Sequence, residues 1–263
     1  MYSIVKKQFA KYQKYLLGSL VLAIICLSVG VPISAEEDYN PIRDVAFTLA
    51  DKGDYKRAVP KLESLLQTDL STMRKHEIYH ALGYFYEKLK NRPKAVGNYV
   101  RVITNDYPLA DTAAYRLAKL YVEMKNNPKA IKWFKELVNN YPNSIYATVS
   151  KWKLAELHLK YKQYKEAKEV LVDVIKHQEY KREASYALAR CEEGLGNYSD
   201  AFKIHQLLIS EKQSDSVADD AVGKLKMLAR SRQSLKLTVN DRFNCGLVEY
   251  YHRNYKTAIN EFT

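Results

Sequence analysis

The sequence is poor in the residues that break or bend regular structure. Its 263 residues include only 9 glycines and 7 prolines, which disfavours turn-dense folds built from many short strands. Disorder is disfavoured too, because 47% of the residues are hydrophobic and 22 tyrosines add apolar area that a core can bury. The composition therefore indicates a folded protein with a sizeable core.

Motifs that bind phosphate or activate a nucleophile are absent as well. The sequence contains no phosphate-binding loop, no glycine-rich dinucleotide fingerprint, no nucleophile elbow and no Cys-x-x-Cys pair. Four of its histidines stand at spacings that do not suit a set of metal ligands: His158, His177, His205 and His252. We therefore predict no catalytic residue, no metal site and no cofactor, and we expect that this chain is not an enzyme.

The first 35 residues have the pattern of an export signal. Residues 1–15 carry four lysines and no acid, the apolar stretch Leu16–Val31 follows, and Ala35 precedes an acidic segment. This apolar stretch is shorter than the roughly twenty residues that a membrane span needs. We predict a signal peptide at residues 1–35, cleaved after Ala35. The alternatives are an uncleaved N-terminal membrane anchor and lipidation of Cys26, although the residue before this cysteine is larger than a lipobox prefers.

Removal of residues 1–35 would take away four lysines and no acid, which leaves 38 basic and 30 acidic side chains. The positive excess favours acidic partners such as anionic glycans, teichoic or lipid phosphates, or acidic proteins. The alternative is that the excess is scattered over solvated helix faces. We expect no nucleic-acid partner, because an export signal directs the chain out of the cytoplasm. We expect membrane contact only through the N-terminal segment, if that segment is not cleaved.

Two cysteines remain beyond the predicted leader. Cys191 and Cys245 are 54 residues apart and occupy helical positions in different parts of the chain. Export would permit a disulfide between them. We predict instead two unpaired, half-buried thiols.

A polar turn followed by an alanine occurs six times along the chain. The alanines are Ala58, Ala95, Ala130, Ala167, Ala201 and Ala258, at spacings of 37, 35, 37, 34 and 57 residues. Twelve and thirteen residues before each alanine, a small residue stands beside a larger one. These pairs are Val45-Ala46, Leu82-Gly83, Leu117-Ala118, Leu154-Ala155, Leu188-Ala189 and Cys245-Gly246. A small residue at this position lets two helices approach closely, so the pattern predicts repeated helix pairs.

Large residues follow each alanine at a helical spacing. Four residues downstream stand Leu62, Tyr99, Phe134, Leu171, His205 and Phe262, where His205 departs from the apolar pattern. Seven residues downstream stand Leu65, Val102, Leu137, Val174 and Leu208. These two positions lie on one face of a helix. The 57-residue gap predicts an extra helix near Asp215–Arg232, with an apolar face made of Val217, Ala218, Ala221, Val222, Leu225 and Leu228.

Together these residues resemble the tetratricopeptide repeat family from Tyr39 to Phe262. The resemblance implies an all-α fold, a right-handed solenoid of antiparallel helix pairs. We expect the solenoid to occupy residues 36–263 as about six pairs, the last one truncated. The short last unit also suggests an N-terminal fragment or a prematurely terminated product.

A narrower resemblance concerns exported bacterial envelope proteins. The segments 106–113, 140–144 and 214–221 are similar to repeats of outer-membrane assembly lipoproteins and of the helical region of soluble lytic murein transglycosylases. The resemblance implies a non-catalytic interaction or scaffold module of the bacterial periplasm or cell envelope. The alternative is the N-terminal superhelical region of a transglycosylase, which handles substrate for a catalytic domain that this chain lacks.

One segment matches the zinc-protease pattern His-Glu-x-x-His. His76 and His80 would share one helix face, with Glu77 placed as a base. Tyr86 stands where one class of these proteases has its third histidine ligand. The repeat pattern explains the apolar and small residues between and after the histidines. We therefore interpret the two histidines as exposed repeat residues, which bind metal only adventitiously.

The resemblance implies that the first helix of each pair lines a concave groove. Three residues before each small packing residue stand His80, Tyr115, Trp152, Tyr186 and Phe243, and polar neighbours of this stripe are Tyr84, Lys119, Glu156 and Arg190. We predict a binding groove made of His80, Tyr84, Tyr115, Lys119, Trp152, Glu156, Tyr186 and Arg190. Its partner would be an envelope protein or peptide, or peptidoglycan glycan strands. The alternative is that these rings only pack between adjacent repeats.

Overall fold

The computed structural model describes residues 41–103 and 107–263, and the predicted leader at residues 1–35 lies outside these ranges. Within them the chain forms thirteen helices and no strand, so the predicted all-α solenoid is confirmed. The helices are α1 (Pro41–Asp51), α2 (Tyr55–Leu65), α3 (Thr72–Lys88), α4 (Arg92–Ile103), α5 (Ala110–Glu123), α6 (Asn127–Asn140), α7 (Ala147–Lys160), α8 (Tyr164–Val174), α9 (Lys181–Gly194), α10 (Tyr198–Glu211), α11 (Ser216–Ser231), α12 (Val239–Tyr251) and α13 (Tyr255–Phe262). Among these helices, none has the length and apolar content that a membrane crossing requires.

Six helix pairs share one turn geometry: α1–α2, α3–α4, α5–α6, α7–α8, α9–α10 and α12–α13. Each turn contains one residue with φ between 56° and 83°, and these residues are Gly53, Lys90, Lys125, Lys162, Gly196 and Arg253. The N–H of the next residue donates to a carbonyl five residues back, as Asn91 does to Tyr86 over 2.9 Å. This bond satisfies a carbonyl that the end of a helix leaves free. The polar turns of the sequence are therefore helix caps that fold the chain back on itself.

The two helices of a pair approach closely at the small residues. All six repeat alanines are at most 2% exposed. A Cβ atom placed on Gly83 of α3 would lie 2.6 Å from the Tyr99 ring of α4, and one on Gly246 would lie 2.4 Å from the Phe262 ring. A larger side chain at either glycine would therefore collide with the second helix of its own pair.

The helical positions downstream of each alanine form the core. Leu62, Tyr99, Phe134, Leu171 and His205 are fully buried. The positions three residues further on, Leu65, Val102, Leu137, Val174 and Leu208, are at most 2% exposed. The polar ring of His205 is accommodated because its Nε2 lies 3.0 Å from Oε1 of Glu193.

The additional helix in the long gap is α11, and its apolar face is buried at all six predicted positions. Asp215 caps its first turn by accepting a hydrogen bond from the N–H of Ala218 over 2.9 Å. Arg182 of α9 donates to Asp215 over 2.8 Å and to the carbonyl of Leu208 over 3.1 Å. One arginine therefore fixes the link between α10 and α11 against the preceding pair.

Both cysteines in the described residues are free, but the prediction that they are half-buried is wrong. Cys191 and Cys245 have no exposed surface, because each lies on the inner face of the first helix of its pair. Burial raises the pKa of the Cys191 thiol to about 11 and that of Cys245 to about 12. Both side chains act as small apolar core residues.

Candidate functional site

The two histidines of the His-Glu-x-x-His segment are not exposed, contrary to the prediction. His76 is buried, and its ring lies 5.9 Å from that of Tyr107. Nε2 of His80 is also buried. Glu77 instead accepts a hydrogen bond from Arg74 over 3.0 Å. The described part of the chain holds no group of three or more histidine, cysteine or acidic side chains that is placed to bind a metal ion.

His80 lies inside the contact between α3 and α4. Its ring meets Tyr99 edge-on, with the ring centroids 6.1 Å apart, and its buried Nε2 has no hydrogen-bond partner. Burial lowers the pKa of His80 to about 4, with a further lowering by the nearby Arg116 charge. This predicted groove residue is therefore a neutral packing residue.

The other three predicted groove residues of α3 and α5 make cation–π and stacking contacts. The guanidinium of Arg116 lies 4.6 Å from the centre of the Tyr84 ring. Tyr115 stacks on Tyr146, with centroids 4.5 Å apart and planes 12° from parallel, and Lys119 lies 5.7 Å from the centre of the Tyr115 ring. At this end of the solenoid the rings of the aromatic stripe therefore make contacts between successive repeats.

A hydrogen-bonded network holds this region together. Arg116 donates to both carboxylate oxygens of Glu87, over 3.1 and 3.2 Å, and the Tyr99 hydroxyl donates to the same carboxylate over 2.9 Å. Burial raises the pKa of Tyr99 well above its ordinary value, so the hydroxyl stays a donor. The partners are mutually satisfied, which leaves little capacity to bind a ligand.

The remaining four predicted residues come together at one cleft. Trp152 and Glu156 of α7 face Tyr186 and Arg190 of α9 across a concave space of about 470 Å³. Helix α11 closes the far side, and we name this space the α7–α9–α11 cleft. Its other lining residues are Leu159, Lys160, Glu183, Ala187, Ser216, Val217 and Asp220.

The two aromatic rings of the cleft are packed on one side and open on the other. Trp152 lies 6.0 Å from Tyr180, and Tyr186 lies 5.7 Å from His205, measured between ring centroids. Both rings remain partly exposed. Burial raises the pKa of Tyr186, and the charge of Asp220 adds to this rise, so the hydroxyl can donate a hydrogen bond across the physiological pH range.

The cleft also presents charges of both signs. Glu156 pairs with Lys153 over 2.7 Å. Glu183, Arg190 and Asp220 are exposed, and the structure shows no ion pair for them within the described ranges of the chain. Because these charges have no internal partner there, they are available to a ligand with complementary groups.

The repeat spacing did not predict the third wall of the cleft. It assigned groove positions only on the first helices of regular pairs, whereas Ser216, Val217 and Asp220 belong to the inserted helix α11. Glu183 was also not predicted, because it lies three residues before Tyr186 and the predicted positions began at that tyrosine. The signal that was present is helical spacing: Glu183, Tyr186 and Arg190 recur at intervals that place them on one face of α9.

A second concave space lies between α12 and α13. It measures about 560 Å³ and is lined by Val239, Arg242, Phe243, Glu261, Phe262 and Thr263. The rings of Phe243 and Phe262 are 5.7 Å apart, and both are about half exposed. Phe243 therefore belongs to this apolar end of the solenoid, separate from the four-residue cluster at the α7–α9–α11 cleft.

Residues 103–223, which include all of the α7–α9–α11 cleft, match the family described as tetratricopeptide repeat-like domain. A tetratricopeptide repeat protein from Parabacteroides merdae is similar in structure, with a TM-score of 0.54 and 18% identity over 84% of this chain and 90% of that one. YrrB, described as a TPR protein with an unusual peptide-binding site, has a TM-score of 0.50 and 18% identity over 76% of this chain and 94% of its own. At such identities the likeness shows the fold. No curated protein sequence matches this chain.

Proposed function

We propose that this chain is a non-catalytic binding module of the bacterial cell envelope, of the tetratricopeptide repeat type that residues 103–223 resemble. Its α7–α9–α11 cleft would hold an extended peptide segment of a partner protein. The observation that carries the proposal is the coincidence of two half-open aromatic rings, Trp152 and Tyr186, with unpaired charges in one concave space. The envelope location follows from the leader predicted at residues 1–35.

The chemistry of the cleft suits a peptide. Trp152 and Tyr186 supply rigid apolar area against which a side chain can pack at low entropic cost. Glu183 and Asp220 favour a lysine or arginine on the ligand, while Arg190 favours an acidic side chain. The peptide-binding description of YrrB, a protein of the same fold, adds support for this class of ligand.

The decisive variant is Trp152→Ala. Aromatic anchors of this kind typically contribute about 2 kcal/mol or more to binding, so affinity for the partner peptide should fall at least roughly tenfold. The thermal unfolding midpoint should fall by only a few degrees, because the ring is partly exposed at the edge of the apolar cluster that it contacts. Trp133→Ala on α6, outside the cleft, is the matched control and should leave binding unchanged.

The assay has two steps. Affinity capture from an envelope extract, compared between wild type and the two tryptophan variants, identifies the partner whose retention depends on Trp152. Calorimetry with synthetic peptides of that partner then measures the affinity. Equal peptide affinity for wild type and Trp152→Ala would refute the proposal, as would a preference for purified peptidoglycan strands over every peptide.

A further inference from the structure

Three turns inside successive helix pairs lie along one edge of the solenoid: residues 88–94, 123–129 and 160–166. They connect α3 with α4, α5 with α6 and α7 with α8, and each of these helices packs on the next one in the chain. Because the chain reverses direction at each connection, these turns lie at one edge and the linkers between pairs lie at the other. We name the lysine edge after six exposed lysines of these turns that form no ion pair within the described residues: Lys88, Lys90, Lys125, Lys129, Lys162 and Lys165.

Acidic groups do not neutralise the lysine edge. Its three turns contain two acids, Glu123 and Glu166. Glu123 lies 3.8 Å from Arg92, which leaves it little capacity to offset the lysines. At the opposite edge, the linker of residues 141–146 carries no charged residue, and Lys176, in the linker after α8, is ion-paired. The two edges of these pairs therefore differ in charge.

The backbone does not require lysine at the tips of these turns. Lys90, Lys125 and Lys162 have φ angles of 58°, 57° and 56°, a left-handed conformation that glycine adopts at lower cost. The first and fifth pairs have glycine at the equivalent position, Gly53 and Gly196, with φ angles of 79° and 83°. The fold therefore accepts glycine here. The three lysines supply positive charge at a conformational cost that the turn itself does not explain.

Exposed apolar side chains accompany the lysines. Met124, directly before Lys125, is 40% exposed, and Tyr161, directly before Lys162, is 46% exposed. Each follows the last residue of its helix, so it lies at the tip of the edge. An apolar side chain beside lysines gains free energy when it enters the headgroup region of a bilayer, an environment that a soluble polyanion does not offer.

The residue type also favours an extended charged surface over a single acidic group. All six residues of the lysine edge are lysines, which are point charges on flexible stems. They lack the planar geometry with which arginine binds one carboxylate through two hydrogen bonds. Their distribution over three turns suits a field that is spread out in the same way.

We propose that the lysine edge docks on the surface of a membrane that contains anionic phospholipids, with Met124 and Tyr161 entering the headgroup region. Clusters of about four to eight basic residues are typical of such contacts, and their attraction weakens as salt is added. The contact extends membrane binding beyond the predicted N-terminal segment. It does not depend on the α7–α9–α11 cleft, because none of these side chains lines that cleft.

The test measures how fast individual lysines of the full chain are acetylated on vesicles, by mass spectrometry. Vesicles of phosphatidylcholine alone are compared with vesicles that also contain phosphatidylglycerol. On the anionic vesicles, acetylation of the lysine edge should slow at least about fivefold, and added salt should remove this protection. Lys176, at the opposite edge, is the internal control and should react at the same rate on both kinds of vesicle. The N-terminal segment is present in every sample, so its own insertion does not produce a difference between the two edges.

A triple variant separates the charge of the edge from the fold. Lys90→Gly, Lys125→Gly and Lys162→Gly together remove three charges at positions whose backbone suits glycine, so the thermal unfolding midpoint should change by no more than a few degrees. Docking on anionic vesicles, followed by the protection of Lys129 and Lys165, should weaken at least about tenfold.

The matched control combines Lys75→Gln, Lys176→Gln and Lys236→Gln, which remove the same charge outside the lysine edge, and it should dock like wild type. Equal losses in the two triple variants would overturn the proposal, because they would show attraction by net charge alone. Edge lysines that react equally on neutral and anionic vesicles would overturn it as well. Protection by soluble polyglutamate without protection by anionic vesicles would also overturn it, because the edge would then bind an acidic polymer.

Discussion

Acid should destabilise this fold through one histidine in particular. His80 is held neutral in the folded state, with its pKa lowered from 6.5 to about 4, first by burial and then by the Arg116 charge. Asp111 opposes this effect, but more weakly. The unfolded chain binds a proton at His80 that the folded chain does not bind. The contribution of His80 to the free energy of unfolding is therefore fully present above the unfolded pKa, and it is lost as the pH falls from about 6.5 to about 4.

The magnitude follows from the two pKa values. Each unit of difference corresponds to about 1.4 kcal/mol, and at about pH 5 the unfolded His80 is almost fully protonated while the folded one is not. The free energy of unfolding should therefore fall by about 2 kcal/mol between about pH 8 and about pH 5 through this residue alone. That is a large share of the stability of a typical domain.

The variant His80→Phe isolates this contribution. Aromatic residues occupy the equivalent positions at Tyr115, Trp152 and Tyr186, so the repeat accommodates a ring there, and the variant removes a buried nitrogen that has no hydrogen-bond partner. Urea unfolding of both proteins across the pH series gives the difference between their free energies of unfolding at each pH. Carboxylate titrations affect both proteins equally and cancel in this difference. If wild type and His80→Phe lose stability in parallel between pH 8 and pH 5, the reasoning is refuted.

Two further predictions concern the packing of the helix pairs. Gly83→Ala should destabilise the protein by about 1–3 kcal/mol in chemical unfolding, because the new methyl group would meet the buried Tyr99 ring. Gly223→Ala, where a Cβ atom has no neighbour within 4 Å, should instead stabilise by about 0.5–1 kcal/mol, and equal effects at both glycines would contradict the close approach. Cys191 and Cys245 should resist alkylation in the folded protein and react only after unfolding, because burial raises the pKa of both thiols. Rapid labelling of the native chain, followed by mass spectrometry, would contradict their placement in the core.

The fold was predictable from the sequence because its constraints are local and repeated. A buried alanine and a close glycine–ring contact each limit the residue types at one position, and a polar turn precedes each alanine. Six copies in register make the period readable without any long-range information. The inserted helix α11 was also predictable, since its apolar residues recur at a helical spacing over more than three turns.

The site was predictable only in part, because the repeat places a residue on a face but does not fix what packs against that face. His80 and Trp152 occupy equivalent positions, yet His80 lies in a closed contact and Trp152 lines an open cleft. The difference depends on neighbours in other helices. Tyr115 stacks on Tyr146 in the linker before α7, a contact that no spacing rule specifies.

The proposed binding cleft lies where the chain departs from its own period. In the regular repeats, packing between successive pairs accounts for the apolar positions of each helix and leaves little for a ligand to contact. Helix α11 enters as a single helix between two pairs, and α10 contacts both α11 and α12. The ion pair of Arg182 with Asp215 fixes the start of α11 beside α9, where Asp220 and Ser216 become a wall of the cleft. A regular first helix at this point would carry the small and apolar residues of the repeat. The inserted helix instead supplies a polar wall for the proposed peptide ligand.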